Sequence, residues 1–317
     1  MVLHGTKALV GKDAFAAEAD IGGWPDPELT LDRLVEEGST RMTNTSPDRP
    51  PALRAGAAPS ALGRRTRFDR HCAEILAQTS LLVGHLDGAD VTVPVPTCPG
   101  WNVSQLVRHV DGGQRWARDI VATRAVRPPS DAARPIWRQR GSPDTLSASL
   151  TEAAAALTST LTEAGPDAQM WCPVDGGGSA FYARRFAYET AIHRVDAALA
   201  LGADYAFDPA VAADGIDEWM ELECMPFHFE VHPWMRELLA PGRTIGLHAT
   251  DTDAHWLLDL TGDVIAWRRA DEPAAAEIRA SVTDLLLAIY RRRRVGGVHV
   301  TGDAKLVDFW LERVAFG

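Results

Sequence analysis

Glu189 and His193 stand four residues apart in the run YETAIHRVDA. Four residues advance an α-helix by about 400°, so the two side chains leave one face a turn apart. A carboxylate and an imidazole placed in this way can bind one divalent cation, and both are ordinary zinc ligands. The same spacing also serves a solvated i,i+4 ion pair, so the pair alone leaves both readings open. His109 adds a third candidate ligand. In QLVRHVDGG it shares a helical face with Val103, Leu106 and Val110 rather than with Arg108 and Asp111, which points it towards an interior. A core histidine satisfied by a hydrogen bond fits that position too. Three potential ligands on two facing helices match the way metal sites are built inside helical bundles.

Around these three, Asp196 follows His193 by three residues and can either orient an imidazole or form a helix-surface salt bridge. Trp101 is expected to pack at the mouth of the helices. The run Arg291 to Arg294 follows an apolar helix, where basic residues ordinarily form a solvated helix end that favours the C-terminal dipole. His228 and His232 have H-x-x-x-H spacing, but Pro226 and Pro233 interrupt a continuous helix, so they are assigned to a loop. His71 and Cys72 lack a CxxC partner. The four cysteines, Cys72, Cys98, Cys172 and Cys224, contain no CxxC pair and are expected to be reduced, structural thiols.

The elements that must position these residues follow from periodicity. Phe68, Cys72, Ile75, Leu76, Leu82 and Leu86 mark a first helix that Gly88 and Asp90 close. An extended stretch, VTVPVPTCPGW, precedes a second helix from about Val103 to Ala122, capped by Asn102 or Ser104. A third helix near Thr145 to Ala164 stops at Gly165-Pro166, and a fourth runs from about Tyr182 to Leu201 before Gly202. A fifth spans about Pro209 to Glu223. Thereafter TIGLHAT, HWLLDLT, DVIAWRR and AEIRAS read as strands, followed by a helix VTDLLLAIYRRR, a VHV strand and a helix AKLVDFWLERV. The expected fold class is α+β: an N-terminal four-helix bundle over 63–225 and a smaller α+β C-terminal domain over 240–317. Residues 1–62, rich in Gly, Pro, Ser and Ala, are expected to be a disordered leader, and Met42 marks a possible internal start that would make residues 1–41 an upstream extension.

VPTCPGWNVSQLVRHVDG, followed by RRFAYETAIHRVDAALALG, resembles the mycothiol-dependent maleylpyruvate isomerase family, whose bundle belongs to the DinB-like superfamily. The resemblance runs from about Phe68 to the VHVTGDAKLVDFWL ending. It implies zinc, or another divalent metal, held by His109, Glu189 and His193. Three protein ligands leave a tetrahedral ion one open position. It further implies mycothiol as a thiol cosubstrate that reacts as a thiolate, adds to the double bond of maleylpyruvate, permits rotation, and is eliminated to give fumarylpyruvate. The same thiolate could instead carry out S-transfer to an electrophile, making the protein a transferase, and related bundles use other low-molecular-weight thiols. The family's C-terminal domain contributes an arginine near the cleft, which alignment places at Arg293, or at Arg292 with a shift of one. A guanidinium there would clamp a substrate carboxylate. The active site is then expected where the bundle meets the C-terminal domain.

The formal net charge of −11 repels phosphate backbones and anionic headgroups, which argues against generic nucleic-acid or membrane binding. No run of about 18 apolar residues exists, and the N-terminal stretch lacks a secretory pattern, so the expected location is the cytoplasm. The expected partners are a small anionic or electrophilic substrate and a low-molecular-weight thiol. The competing reading is a non-catalytic protein that holds a small apolar molecule against the Trp-bearing strands, with the metal-stabilised bundle as scaffold.

Overall fold

A computed structural model describes residues 61–127, 143–174, 177–226, 228–292 and 298–314. The expected leader falls almost wholly outside them, as does the Pro-rich connection between the second and third helices. Four long helices come first: α1 (Ala61–His85), α2 (Val103–Thr123), α3 (Pro143–Ala164) and α4 (Ser179–Leu201). Local chemistry sets their ends. Asn102 accepts from the Gln105 amide while the Gln105 side chain accepts from the Asn102 amide, a reciprocal capping box that starts α2. Gly165 and Gly202, both with positive φ, stop α3 and α4.

These helices pack against one another, with α1 lying along α3 and α4, and α2 against α3 and α4. The helix α4 is central, since seventeen of its residues from Ser179 to Ala198 are buried. A helix apolar on one stripe needs one neighbour; one buried on all sides must also satisfy its polar groups internally. Arg185, Glu189, His193, Arg194 and Asp196 are among those buried residues. Gly113 allows α2 to approach, because a Cβ there would lie 3.0 Å from the Phe186 ring.

The helix α5 (Pro209–Glu223), the short α6 (His228–Val231) and a 3-10 turn over Pro233–Leu238 lead into the sheet. His228 thus lies in one helical turn instead of a loop, with its ring stacked against that of His232 at 6.0 Å. Strands β1 (Thr244–Ala249), β2 (His255–Asp259), β3 (Ala266–Arg269), β4 (Ala276–Ala280) and β5 (His299–Gly302) form one sheet in the order β3-β2-β1-β4-β5. Only the β1–β4 pairing is parallel; β1 with β2, β2 with β3 and β4 with β5 are antiparallel. The helices α7 (Val282–Ile289) and α8 (Ala304–Leu311) pack on this sheet. The fold is α+β, as expected. One continuous core joins Ile192 and Val195 of α4 to Trp219 of α5, Ile245 and Leu247 of β1, and Leu286 of α7. Gly215 lies at that junction, where a Cβ would meet Tyr188 at 3.1 Å and Leu286 at 3.3 Å. Among the described residues no helix is long and apolar enough to cross a membrane.

Candidate metal centre

His109 from α2 and Glu189 with His193 from α4 converge. Glu189 Oε1 lies 2.9 Å from His109 Nε2 and 3.1 Å from His193 Nε2, and the two imidazole rings meet edge to face at 4.8 Å between centroids. All three ligand atoms fall within 4.8 Å of one another. The alignment depends on the helix packing that Gly113 permits, one turn beyond His109. Gln114 strengthens it by donating to Thr190 on α4 and Thr79 on α1, at 3.1 and 3.3 Å.

Asp196 is fully buried and collects donors from three segments of chain. His193 Nδ1 lies 2.9 Å from Asp196 Oδ2. Thr97 donates to Oδ1 at 2.6 Å, and the Cys98 thiol approaches Oδ2 at 3.5 Å. Arg292 closes the ring with a two-bond fork, Nε to Oδ1 at 2.9 Å and Nη2 to Oδ2 at 3.0 Å. A carboxylate on His193 Nδ1 fixes the ring and its tautomer, leaving Nε2 to face Glu189. The donor set fits a divalent ion: a carboxylate oxygen and two imidazole nitrogens of the usual type meet at one point, one imidazole backed by a carboxylate.

Burial opposes ionisation of each of these groups, and the partners overcome it. Burial alone would lower the His193 pKa, but Glu189 and then Asp196 hold it well above the usual imidazole range. Burial alone would raise the Glu189 pKa, but His193 and His109 hold it well below the carboxylate range. Against the same burial effect, Arg292 followed by His193 depresses the Asp196 pKa. The pocket therefore favours positive charge beside a fixed carboxylate. Glu189 Oε2 also accepts from Arg185 at 3.1 Å, and Arg185 in turn donates to Glu218 at 2.8 and 2.9 Å. Burial pushes Glu218 up to about 7 against the pull of Arg185 and Arg184.

Two loops complete the centre. In the segment before α2, Val95 and Trp101 pair through a 2.9 Å backbone bond and Pro94 bridges to Asn102, so the chain doubles back and presents Thr97 and Cys98 to Asp196. Trp101 is partly exposed and its ring lies 5.0 Å from that of His109. After α7, the expected helix VTDLLLAIYRRR is shorter than its sequence suggests. It ends at Ile289 because Arg291 turns left-handed at φ 58°, with Arg291 N bonded to Ala288 O and Arg292 N to Leu287 O. This is a Schellman stop with arginine where glycine is usual, at a steric cost of about 1 kcal/mol. It aims Arg292 back at α4. Arg292 is 4% exposed and is not part of a solvated helix end. Its fork is committed to Asp196, a protein carboxylate. Arg293 lies outside the described residues.

Sequence reasoning brought His109, Glu189, His193, Asp196 and Arg292 into view, but missed Thr97, Cys98 and Arg185. Nothing in an extended Pro-Thr-Cys-Pro run or in one more arginine on a helix marks them. The remaining histidines lie elsewhere: His71 is 2.7 Å from Asp214, and a cleft of about 940 Å³ between α1, α4 and α5 is lined by that pair with Arg184 and Glu218. None of the three convergent side chains lines it. None of the four cysteines forms a disulfide.

Residues 72–198 match the family model described as mycothiol maleylpyruvate isomerase N-terminal domain. Solved structures of a mycothiol-dependent maleylpyruvate isomerase and of its histidine-to-alanine mutant are each similar to the chain, with 15% identity and a TM-score of 0.50. Each alignment covers 74% of this chain and 92% of the other, a likeness of fold. An inverting sec-alkylsulfatase from Pseudomonas sp. shares only a slight likeness, at 11% identity and a TM-score of 0.27, over 66% of this chain and 29% of that one. No curated protein sequence gives a significant match.

Proposed function

The chain belongs, through residues 72–198, to the mycothiol maleylpyruvate isomerase family, and from that premise we propose that it is a metal-dependent enzyme using a low-molecular-weight thiol, mycothiol or a close equivalent. Its substrate would be a small electrophile, with cis-trans isomerisation of a maleylpyruvate-like diacid as the first reaction to test and S-transfer as the second. The observation that carries this reading is the convergence of His109 Nε2, His193 Nε2 and Glu189 Oε1. In this reading the helical domain over 63–225 supplies the ligands and the C-terminal domain over 240–317 supplies Arg292.

His109, Glu189 and His193 would hold zinc or a similar divalent ion. Such an ion supplies Lewis acidity, lowering the pKa of a coordinated thiol so that its sulfur reacts as a thiolate at neutral pH. The protein's own groups do the positioning. Asp196 holds the His193 ring by Nδ1, while Thr97 and Arg292 hold Asp196. Arg185 takes the second oxygen of Glu189, which restrains the carboxylate and leaves Oε1 turned to the histidines. Trp101 covers the His109 ring and restricts water on that side. In an isomerisation, sulfur adds to one alkene carbon, the remaining single bond rotates, and loss of the same thiol restores the double bond. In S-transfer the sulfur–carbon bond is kept and a leaving group departs. Arg293, four positions beyond the end of α7 in an arginine run, is the candidate clamp for a substrate carboxylate.

The test is metal content and turnover together. His193→Ala and His109→Ala should each hold one divalent ion per chain fewer than the wild type. Both should lose turnover of maleylpyruvate with mycothiol. Equal metal content in wild type and both variants would end the proposal.

A further inference from the structure

A second group of ligand-type side chains lies on the sheet, remote in sequence from the centre just described. His248 on β1 and His255 on β2 are register partners in the antiparallel ladder, so their side chains share one face of the sheet. Their Nδ1 atoms lie 3.2 Å apart. The strand order requires the chain leaving β3 to cross over β2 and β1 before entering β4. That crossover, tied to the sheet by Ala270 N to His255 O and by Ala275 N to Thr244 Oγ1, carries Asp271 over the histidine pair. Asp271 Oδ1 is 3.2 Å from His248 Nδ1.

His248 Nδ1 therefore has two partners at hydrogen-bond range, yet an imidazole nitrogen carries one in-plane proton or one lone pair and can satisfy one of them at a time. A cation set among the three atoms would satisfy all of them. With bonds of about 2.0–2.1 Å, the ligands of a tetrahedral zinc stand about 3.4 Å apart, close to the two 3.2 Å separations here. The rest of the surroundings suits a ligand histidine. His248 is 2% exposed, and its other nitrogen, Nε2, has no hydrogen-bond partner but lies 4.0 Å from the Glu277 carboxylate. Gly246 leaves room for the ring, since a Cβ there would stand 2.7 Å from Nε2. Arg279, the nearby cation, is paired with Glu277 at 3.0 Å.

We propose that His248, His255 and Asp271 form a second divalent-metal site, for zinc or a similar imidazole-preferring ion, which fastens the β3–β4 crossover to the sheet. The fourth position faces solvent on the side of Asp271, whose side chain is 68% exposed.

The full-length chain, stripped with a chelator and titrated with zinc against a chromophoric competitor, provides the test. His255→Ala and Asp271→Asn should each bind one zinc fewer than wild type, or bind it roughly 100-fold more weakly. The rise in Tm that zinc confers should shrink in both. His193→Ala should lose a different equivalent, so that the loss in His193→Ala/His255→Ala is the sum of the two. If His193→Ala alone keeps the wild-type stoichiometry, the thiol-enzyme reading fails while the sheet site stands. Wild-type stoichiometry and affinity in Asp271→Asn and in folded His255→Ala overturn the sheet site. Should circular dichroism show His255→Ala unfolded, Asp271→Asn decides, because an exposed carboxylate contributes little packing.

Discussion

Replacing Asp196 by Asn changes almost no volume and removes one charge from a buried carboxylate that, among the described residues, gathers partners from three segments of chain. Asp196 accepts two bonds from Arg292 and one from Thr97, with His193 and Cys98 also against it. An Asn amide presents an NH₂ group to donors on one side, whichever way it is turned, and leaves the buried Arg292 without its counter-ion. Breaking one partner of a buried pair costs about 3–5 kcal/mol, a large part of the roughly 5–15 kcal/mol that stabilises a typical domain. At roughly 2–4 °C per kcal/mol for a domain of this size class, Tm should fall by about 6–20 °C. Unfolding in urea with chelator present separates this effect from metal binding. Arg292→Met and the double variant complete a cycle in which the double costs little more than Asp196→Asn alone. Metal affinity should fall roughly 10- to 100-fold, since the carboxylate behind a ligand histidine is lost. A loss below about 1 kcal/mol in Asp196→Asn, or strict additivity with Arg292→Met, would refute the argument that these two groups form one unit.

Other consequences can be measured separately. His228 is held at about 4, chiefly by burial and then by His232, so the unfolded chain takes up a proton that the folded chain refuses between about pH 6.5 and 4. Stability should therefore fall as pH drops through that window, by up to about 3 kcal/mol from this group, and His228→Gln should flatten the Tm profile there. Asp196 and Asp214 have depressed pKa values, so their contribution is present above about pH 4 and is lost as pH falls further, a second and more acid loss of stability. Gly113→Val should cost about 1–3 kcal/mol by forcing α2 from the Phe186 ring, and should weaken metal binding through displacement of His109; urea unfolding and metal titration check the two effects. Arg293→Lys should raise KM for a dianionic substrate more than it lowers Tm, whereas Arg292→Lys should do the reverse, because the Arg292 fork is committed to Asp196.

Much of this protein is written in local sequence. The helix over Pro209–Glu223 begins and ends where Asp208, Pro209 and Cys224 place it, and α2 begins at the Asn102 capping box, because caps and turns are decided by residues within a few positions of one another. The four long helices, the strands and the i,i+4 pairing of Glu189 with His193 are readable for the same reason. Longer-range choices are not. Periodicity allows Asp196 to lie on a solvated face or in the interior; only the packing of α4 on all sides buries it and turns it to His193. Continued helix past Ile289 is locally favourable for an arginine run, yet the chain turns left-handed at Arg291 and Arg292 reaches a carboxylate 96 residues away. Likewise His248 and His255 are seven residues apart on neighbouring strands, but the strand order alone brings the β3–β4 crossover, and Asp271 with it, over their rings. Short-range bonds are specified by the residues that make them, while a buried charge is tolerated only where distant segments bring its partners, and that is decided when the whole chain packs.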